Sequence, residues 1–175
     1  GQYLAENKGS FYGIPETRSY MRSMRLYAEC LYSLGQVKAS ITVMEEMIEL
    51  NPIDNQGMRD QLLLYLIETN EDEKYLHYDE RYKKDFMAFP FYNRCLFVFK
   101  KQGDTEESRL HLQKAIAKNK YVPSKLISRI AVSKVPETYV FGRDSEAEHY
   151  AYYAREIWQK TPGAVDWLKQ QIGRK

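Results

Sequence analysis

"LYSLGQVKASITVMEEMIELNPIDNQG", residues 31–57, contains two runs of helical spacing that meet at Gly35, the second ending at Pro52. A lone helical hairpin and one copy of a repeat both read this way, and the rest of the chain separates them. Gly35 opens "GQVKASITVMEEMIELNP", Asn70 opens "NEDEKYLHYDERYKK" and Gly103 opens "GDTEESRLHLQKAIAKNKYVP". Gly35 and Gly103 lie 68 residues apart, with Asn70 near the midpoint. Asn is the usual substitute for Gly where the backbone turns left-handed. The chain is therefore expected to repeat a two-helix unit, with an irregular helical bundle of accidental spacing as the alternative.

A unit of two helices recurring every 34 residues or so resembles the tetratricopeptide repeat (about 34 residues). Gly35 is then the turn inside the first unit, and Ala28 sits where the first helix must approach the second closely. Tyr27, Leu31, Ile41, Met44 and Ile48 fall at packing positions. In the third unit Leu96 replaces Ala28, and Phe99, Leu112, Ala115 and Ile116 are further packing positions. Leu96 departs from the family pattern and implies wider helix spacing. Ser40 and Ser108 stand where the family has Ala, and Tyr75 occupies the small position of the second unit. Pro52 and Pro123 are expected to stop helices, because proline lacks an N–H and clashes with the preceding turn. Asp54 can cap the helix that follows. The predicted fold is all-α: a tetratricopeptide-like right-handed superhelix of about three helical hairpins plus C-terminal capping helices. Each hairpin has an apolar face that only stacking can bury.

The predicted organisation is an irregular lead-in over 1–18, three hairpins over 19–121 (units 19–52, 54–86 and 88–121), and a loop with capping helices over 122–175. Gly9, Gly13 and Pro15 make the lead-in irregular. Pro136 and Gly142 make a loop after the third unit, with at most one short helix before it. A helix is expected over 145–160, capped by Ser145 with Glu148 completing a capping box, and a short last helix from about Pro162. Tyr150, Ala154, Ile157 and Trp158 form an apolar stripe, and Trp167 and Leu168 pack against it.

Three stretches carry a closer resemblance: "GSFYGIPETRSYMRSMRLYAECLYSLGQ", "ELNPIDNQGMRDQLL" and "TPGAVDWLKQ". Together they resemble a group of bacterial tetratricopeptide-type proteins in which an aromatic–Gly stretch leads into "TRPYMR", followed by "NPNDNQG" and a closing "GALEWL". The likeness spreads over almost the whole chain. Ser19 stands where the group has Pro, and Ile53 where it has Asn. The resemblance implies a tetratricopeptide-like fold and a protein-interaction role, and it implies no activity.

Composition fits a soluble globular protein of 175 residues, with 43% apolar and 29% charged residues. The 26 basic and 24 acidic residues are too balanced for a nucleic-acid footprint. No apolar run is long enough for a transmembrane helix; the longest, 62–67, reads as a buried helical segment. "GQYLAENKGS" lacks the basic start and apolar core of a signal peptide. Gly1 in place of Met suggests an excised C-terminal part of a longer chain. Cys30 and Cys95 read as two reduced, buried thiols in a cytoplasmic protein, with a disulfide between them the minor reading.

No phosphate loop, G-x-S-x-G, H-E-x-x-H or paired C-x-x-C occurs. His77 and Asp79 could serve a metal but lack a third ligand. Glu146 and His149 read as a solvated helical face. Catalytic residues, metal ligands and cofactors are therefore all expected to be absent. The expected partner is a protein or peptide segment held in a concave groove, with no nucleic acid and no membrane, by a monomer or weak homodimer. Groove-facing positions are Arg22, Arg25, Glu29 and Tyr32 in the first unit, Asp60, Leu64 and Ile67 in the second, and Asn93, Arg94, Phe97 and Lys100 in the third. Arg18 joins Arg22 and Arg25 on neighbouring turns of the first helix. Arginine forks suit carboxylates and Tyr suits apolar side chains. Arg25 and Arg94 match two positions of the carboxylate clamp found in some tetratricopeptide domains, but Glu29 replaces its Asn and Pro90 its Lys. For Arg18 and Arg22 the favoured reading is as braces to Glu16 or to the turn at Asn55 and Gln56, with partner contact the other. The alternative function is a structural or self-associating domain of a longer protein.

Overall fold

In the computed structural model, residues 3 and 6–173 are described. Every regular element among them is helical. After short 3-10 turns at Phe11–Gly13 and Pro15–Thr17 come α1 (Arg18–Ser33), α2 (Val37–Leu50), α3 (Met58–Thr69), α4 (Asp72–Arg81), α5 (Ala88–Gln102), α6 (Glu106–Lys118), α7 (Val122–Ile127), α8 (Asp144–Lys160) and α9 (Ala164–Gly173). Among the described residues no helix is long and apolar enough to cross a membrane. The chain divides into two compact units, Gly1–Tyr78 and Asp79–Lys175.

In the N-terminal unit α1 packs on α2, and α2 on α3. The turn residue Gly35 has φ +75°, and Asn70, which separates α3 from α4, has φ +60°. Left-handed backbone costs a residue with a Cβ, so Gly and Asn are the residues that mark these turns. Met21, Met24, Ala28 and Leu31 bury the inner stripe of α1 against Ile41, Met44 and Ile48 of α2. Ala28 is fully buried, and Ser40 Oγ donates to its carbonyl at 2.8 Å. Ser40 thus joins the two helices where an Ala could only pack. Tyr27, expected in the core, is 58% exposed. It precedes Ala28 by one residue, which puts it about 100° around the helix from it and off the inner stripe.

The junction between α2 and α3 is built on Asp54. Its Oδ1 accepts from Met58 N–H at 2.8 Å and its Oδ2 from Arg59 N–H at 2.9 Å, closing the first turn of α3. Arg59 Nη1 adds an ion pair at 3.1 Å. Burial pushes the Asp54 carboxyl above its ordinary value, against the pull of those N–H groups and of the arginine. Helix α3 is buried without interruption from Asp60 to Ile67, as expected of a helix that is apolar all round.

In the C-terminal unit α5 packs on α6, and α8 and α9 lie against α5 and against α7. Gly103, between α5 and α6, has φ +69°. Thr105 and Ser108 form a reciprocal capping box on α6: Ser108 N–H donates to Thr105 Oγ1 at 3.2 Å and Thr105 N–H to Ser108 Oγ at 2.9 Å. Leu96, Leu112 and Ala115 are buried, while Ile116 is half-buried. Tyr150, Ala154, Ile157 and Trp158 of α8 are all buried, as are Trp167 and Leu168 of α9. Trp167 stacks on Phe99 at 4.4 Å, and its Nε1–H donates to Asp104 at 2.8 Å.

Three local expectations are corrected. Pro123 does not end a helix; α6 stops at Lys118, and Pro123 lies in the first turn of α7, where its missing N–H costs nothing. Ser145 does not cap α8, because its hydroxyl accepts from Val140 N–H at 3.0 Å instead. Cys30 is exposed, Cys95 is buried, and both are free thiols, so there is no disulfide between them.

Candidate partner-binding surfaces

Helical spacing places Arg18, Arg22, Arg25, Glu29 and Tyr32 on one stripe of α1, alongside the buried stripe of Met21, Met24, Ala28 and Leu31. Arg18 Nε donates to the Tyr12 carbonyl at 3.2 Å, and its guanidinium lies over the Tyr12 ring at 5.7 Å. It braces the lead-in through Tyr12 rather than Glu16. Thr17 holds the same segment, donating to the Ile14 carbonyl at 2.8 Å and to that of Phe11. Gln56 Nε2 reaches the Met21 carbonyl at 3.4 Å, so the turn beside it braces α1 without the arginines.

Arg22 is exposed and donates to Ser19 Oγ at 3.0 Å. Arg25 pairs with Glu29 one turn on, at 3.0 Å. Such a pair, about a third exposed on both sides, contributes little, on the order of 0.5 kcal/mol. Tyr32 is stacked flat on Tyr65 at 3.9 Å and donates its hydroxyl to Glu68 at 2.9 Å. It is therefore committed to α3. Tyr20 and Tyr27 are exposed but lie on the other flank of α1 and do not interleave with the arginines; Leu26, one turn beyond Arg22, is the exposed apolar neighbour. Asp60, Leu64 and Ile67 are buried and face no groove.

In the C-terminal unit Asn93 is fully buried, and neither polar atom of its amide has a hydrogen-bond partner among the described residues. A ligand at the surface cannot reach it. Arg94 Nε donates to both oxygens of Asp79, at 2.8 and 2.9 Å. Both arginines that match carboxylate-clamp positions, Arg25 and Arg94, thus already hold carboxylates of this chain. Phe97 and Lys100 are half-buried, with Lys101 Nζ 5.9 Å from the centre of the Phe97 ring. Burial and the neighbouring Lys114 hold the His111 imidazole below its ordinary value.

His77 and Asp79 gain no third ligand: among the described residues no group of three His, Cys, Asp or Glu side chains could hold a metal. Glu146 and His149 are not a solvated face. Glu146 is 1% exposed, and its carboxylate accepts from Gly142 N–H at 2.7 Å, from Ala88 N–H at 3.0 Å and from Asn119 Nδ2 at 3.0 Å. This knot joins the start of α5, the end of α6 and the first turn of α8. Tyr92 extends it by donating to the Asn119 carbonyl at 2.7 Å, and burial drives its phenol pKa far up. The His149 ring packs among Phe89, Tyr139 and Tyr153.

A cavity of about 580 Å³ lies beside the segment between α7 and α8, lined by Lys125, Ile130, Val132, Lys134, Pro136 and Glu148 among others. The sequence reading missed it. The local signal is the short apolar run Ile130, Ala131 and Val132 in "SRIAVSKV", residues 128–135, flanked by Arg129 and Lys134. Comparison with protein-family models, curated proteins and solved structures gives no match.

Proposed function

We propose that this chain is a non-catalytic interaction module of tetratricopeptide type, which holds a peptide or protein segment on its first helix. The repeat reading is supported by three turn residues at near-equal spacing, Gly35, Asn70 and Gly103, all with left-handed backbone. The right-handed superhelix of that family is the arrangement this spacing predicts. The observation that carries the binding role is the α1 stripe. Arg22 and Leu26 are exposed one turn apart, and among the described residues Arg22, between Arg18 and Arg25, bonds only a serine hydroxyl. A guanidinium beside an aliphatic side chain suits a segment carrying a carboxylate and an apolar anchor. Two free thiols fit a reducing compartment such as the cytoplasm.

A photo-crosslinking residue at position 22, introduced in the source cells, tests the reading. Adducts with a different protein are the expected result. Adducts only with a second copy of the chain, or none, would count against it.

The self-associating reading has its own observation. Phe86 and Phe141 are 61% and 53% exposed and meet edge to face at 5.1 Å. Sedimentation over a range of concentrations separates the two: a strict monomer rules against self-association.

A further inference from the structure

The C-terminal unit is basic, with 19 Lys and Arg against 12 Asp and Glu, whereas the N-terminal unit has 7 against 12. The excess is not spread evenly around the cavity beside residues 128–136. Lys125 is neutralised, gripped by Asp144 and Glu148 at 2.9 Å each. Arg129 and Lys134 are exposed, and among the described residues neither has an ion-pair partner. Arg155 lies beneath: its Nη2 donates to the Ser128 carbonyl at 2.6 Å, and its Nε is buried with no partner among the described residues. Glu137, exposed at the far end, is the one acid in the segment. Lys134 lines this space with Ile130, Ala131, Val132 and Pro136, Arg129 adjoins it between Ser128 and Ile130, and the carboxylate in its lining, Glu148, is already held by Lys125.

The backbone adds a second feature. Residues 131–135 make no backbone–backbone hydrogen bond among the described residues. Main-chain N–H and C=O groups left unpaired in such a run are available to an added strand. Pro136 has no N–H and ends the run. The cavity, at about 580 Å³, lies within the usual range for ligand sites, about 300–1,000 Å³.

We propose that this cleft binds a short acidic, aliphatic peptide segment laid along residues 131–135. The peptide's main chain pairs with the free backbone groups. Its alternate aliphatic side chains enter the cavity over Ile130, Val132 and Pro136. Its carboxylates meet Arg129 and Lys134 at the rim. This site is separate from the α1 stripe, and either can fail without the other.

The test is fluorescence anisotropy with a fluorescein-labelled hexapeptide alternating Glu and Leu. Controls replace every Glu with Lys, or every Leu with Ser. Saturable binding is expected for the Glu–Leu peptide, with both controls much weaker. Arg129→Glu/Lys134→Glu should weaken binding about tenfold, through charge reversal at the rim. Arg22→Glu/Arg25→Glu should leave it unchanged. Tryptophan fluorescence confirms the fold of this unit in each variant, since Trp158 and Trp167 both lie in it, and circular dichroism checks the helices of the Arg22/Arg25 variant. The proposal is overturned if the Glu–Leu peptide shows no saturable binding, if either control binds equally well, or if the Arg129/Lys134 variant binds like the parent.

Discussion

Replacing Glu146 should weaken the C-terminal unit more than any surface carboxylate could. The carboxylate has three N–H donors at 2.7–3.0 Å and almost no contact with water. Glu146→Gln keeps the shape but substitutes an amide NH2 for one oxygen. That NH2 faces an N–H, so one hydrogen bond is lost and a donor is left unsatisfied, at about 1–3 kcal/mol. Glu146→Ala orphans all three donors and opens a void, for about 3–5 kcal/mol. A domain's whole stability is about 5–15 kcal/mol, so the second variant brings the unit close to unfolding. Urea denaturation followed by tryptophan fluorescence reads this unit alone, because the chain has 2 Trp, both in it. A loss below about 0.5 kcal/mol for Glu146→Gln would refute the reasoning, since it would mean the donors find other acceptors at no cost.

Further expectations follow from single residues. Asn93→Leu should be neutral or stabilising by up to about 2 kcal/mol in the same assay, because it removes a buried amide that makes no hydrogen bond among the described residues; a clear destabilisation would show that the amide has a role. Asp54→Ala should cost about 1–2 kcal/mol through loss of the α3 cap, measured by circular dichroism on urea titration. Gly142→Ala should cost about 1–3 kcal/mol, because φ is +69° and a Cβ would lie 3.3 Å from the Lys118 carbonyl oxygen. A thiol reagent should modify Cys30 in the native protein and Cys95 only on unfolding, since burial encloses the second thiol and raises its pKa far above the ordinary value.

The turns and the core stripes were legible because their causes are local. Left-handed backbone selects Gly or Asn, so Gly35, Asn70 and Gly103 announced themselves, and a 3.6-residue period revealed Met44, Ile48, Tyr150 and Trp158. Pro123 misled because proline marks a helix start as well as an end. The facing of α3 could not be read, since a helix apolar on all sides has no period that distinguishes a groove from a core. Arg25–Glu29 is an i,i+4 pair visible in sequence, but Arg94–Asp79 spans 15 positions. The Glu146 knot was illegible for the same reason: Ala88 lies 58 positions away and Asn119 lies 27. Nothing within one helix separates such a carboxylate from a solvated one.

The interaction reading is tested most directly by capture from the source lysate, comparing this chain with an Arg22→Glu/Arg25→Glu variant of confirmed fold. A protein retained by the parent and lost by the variant is the predicted result, and it would place binding on α1. Capture of the same proteins by both, or of none by either, would contradict it and leave Arg22 and Arg25 as ties along the surface of α1, to Ser19 and Glu29.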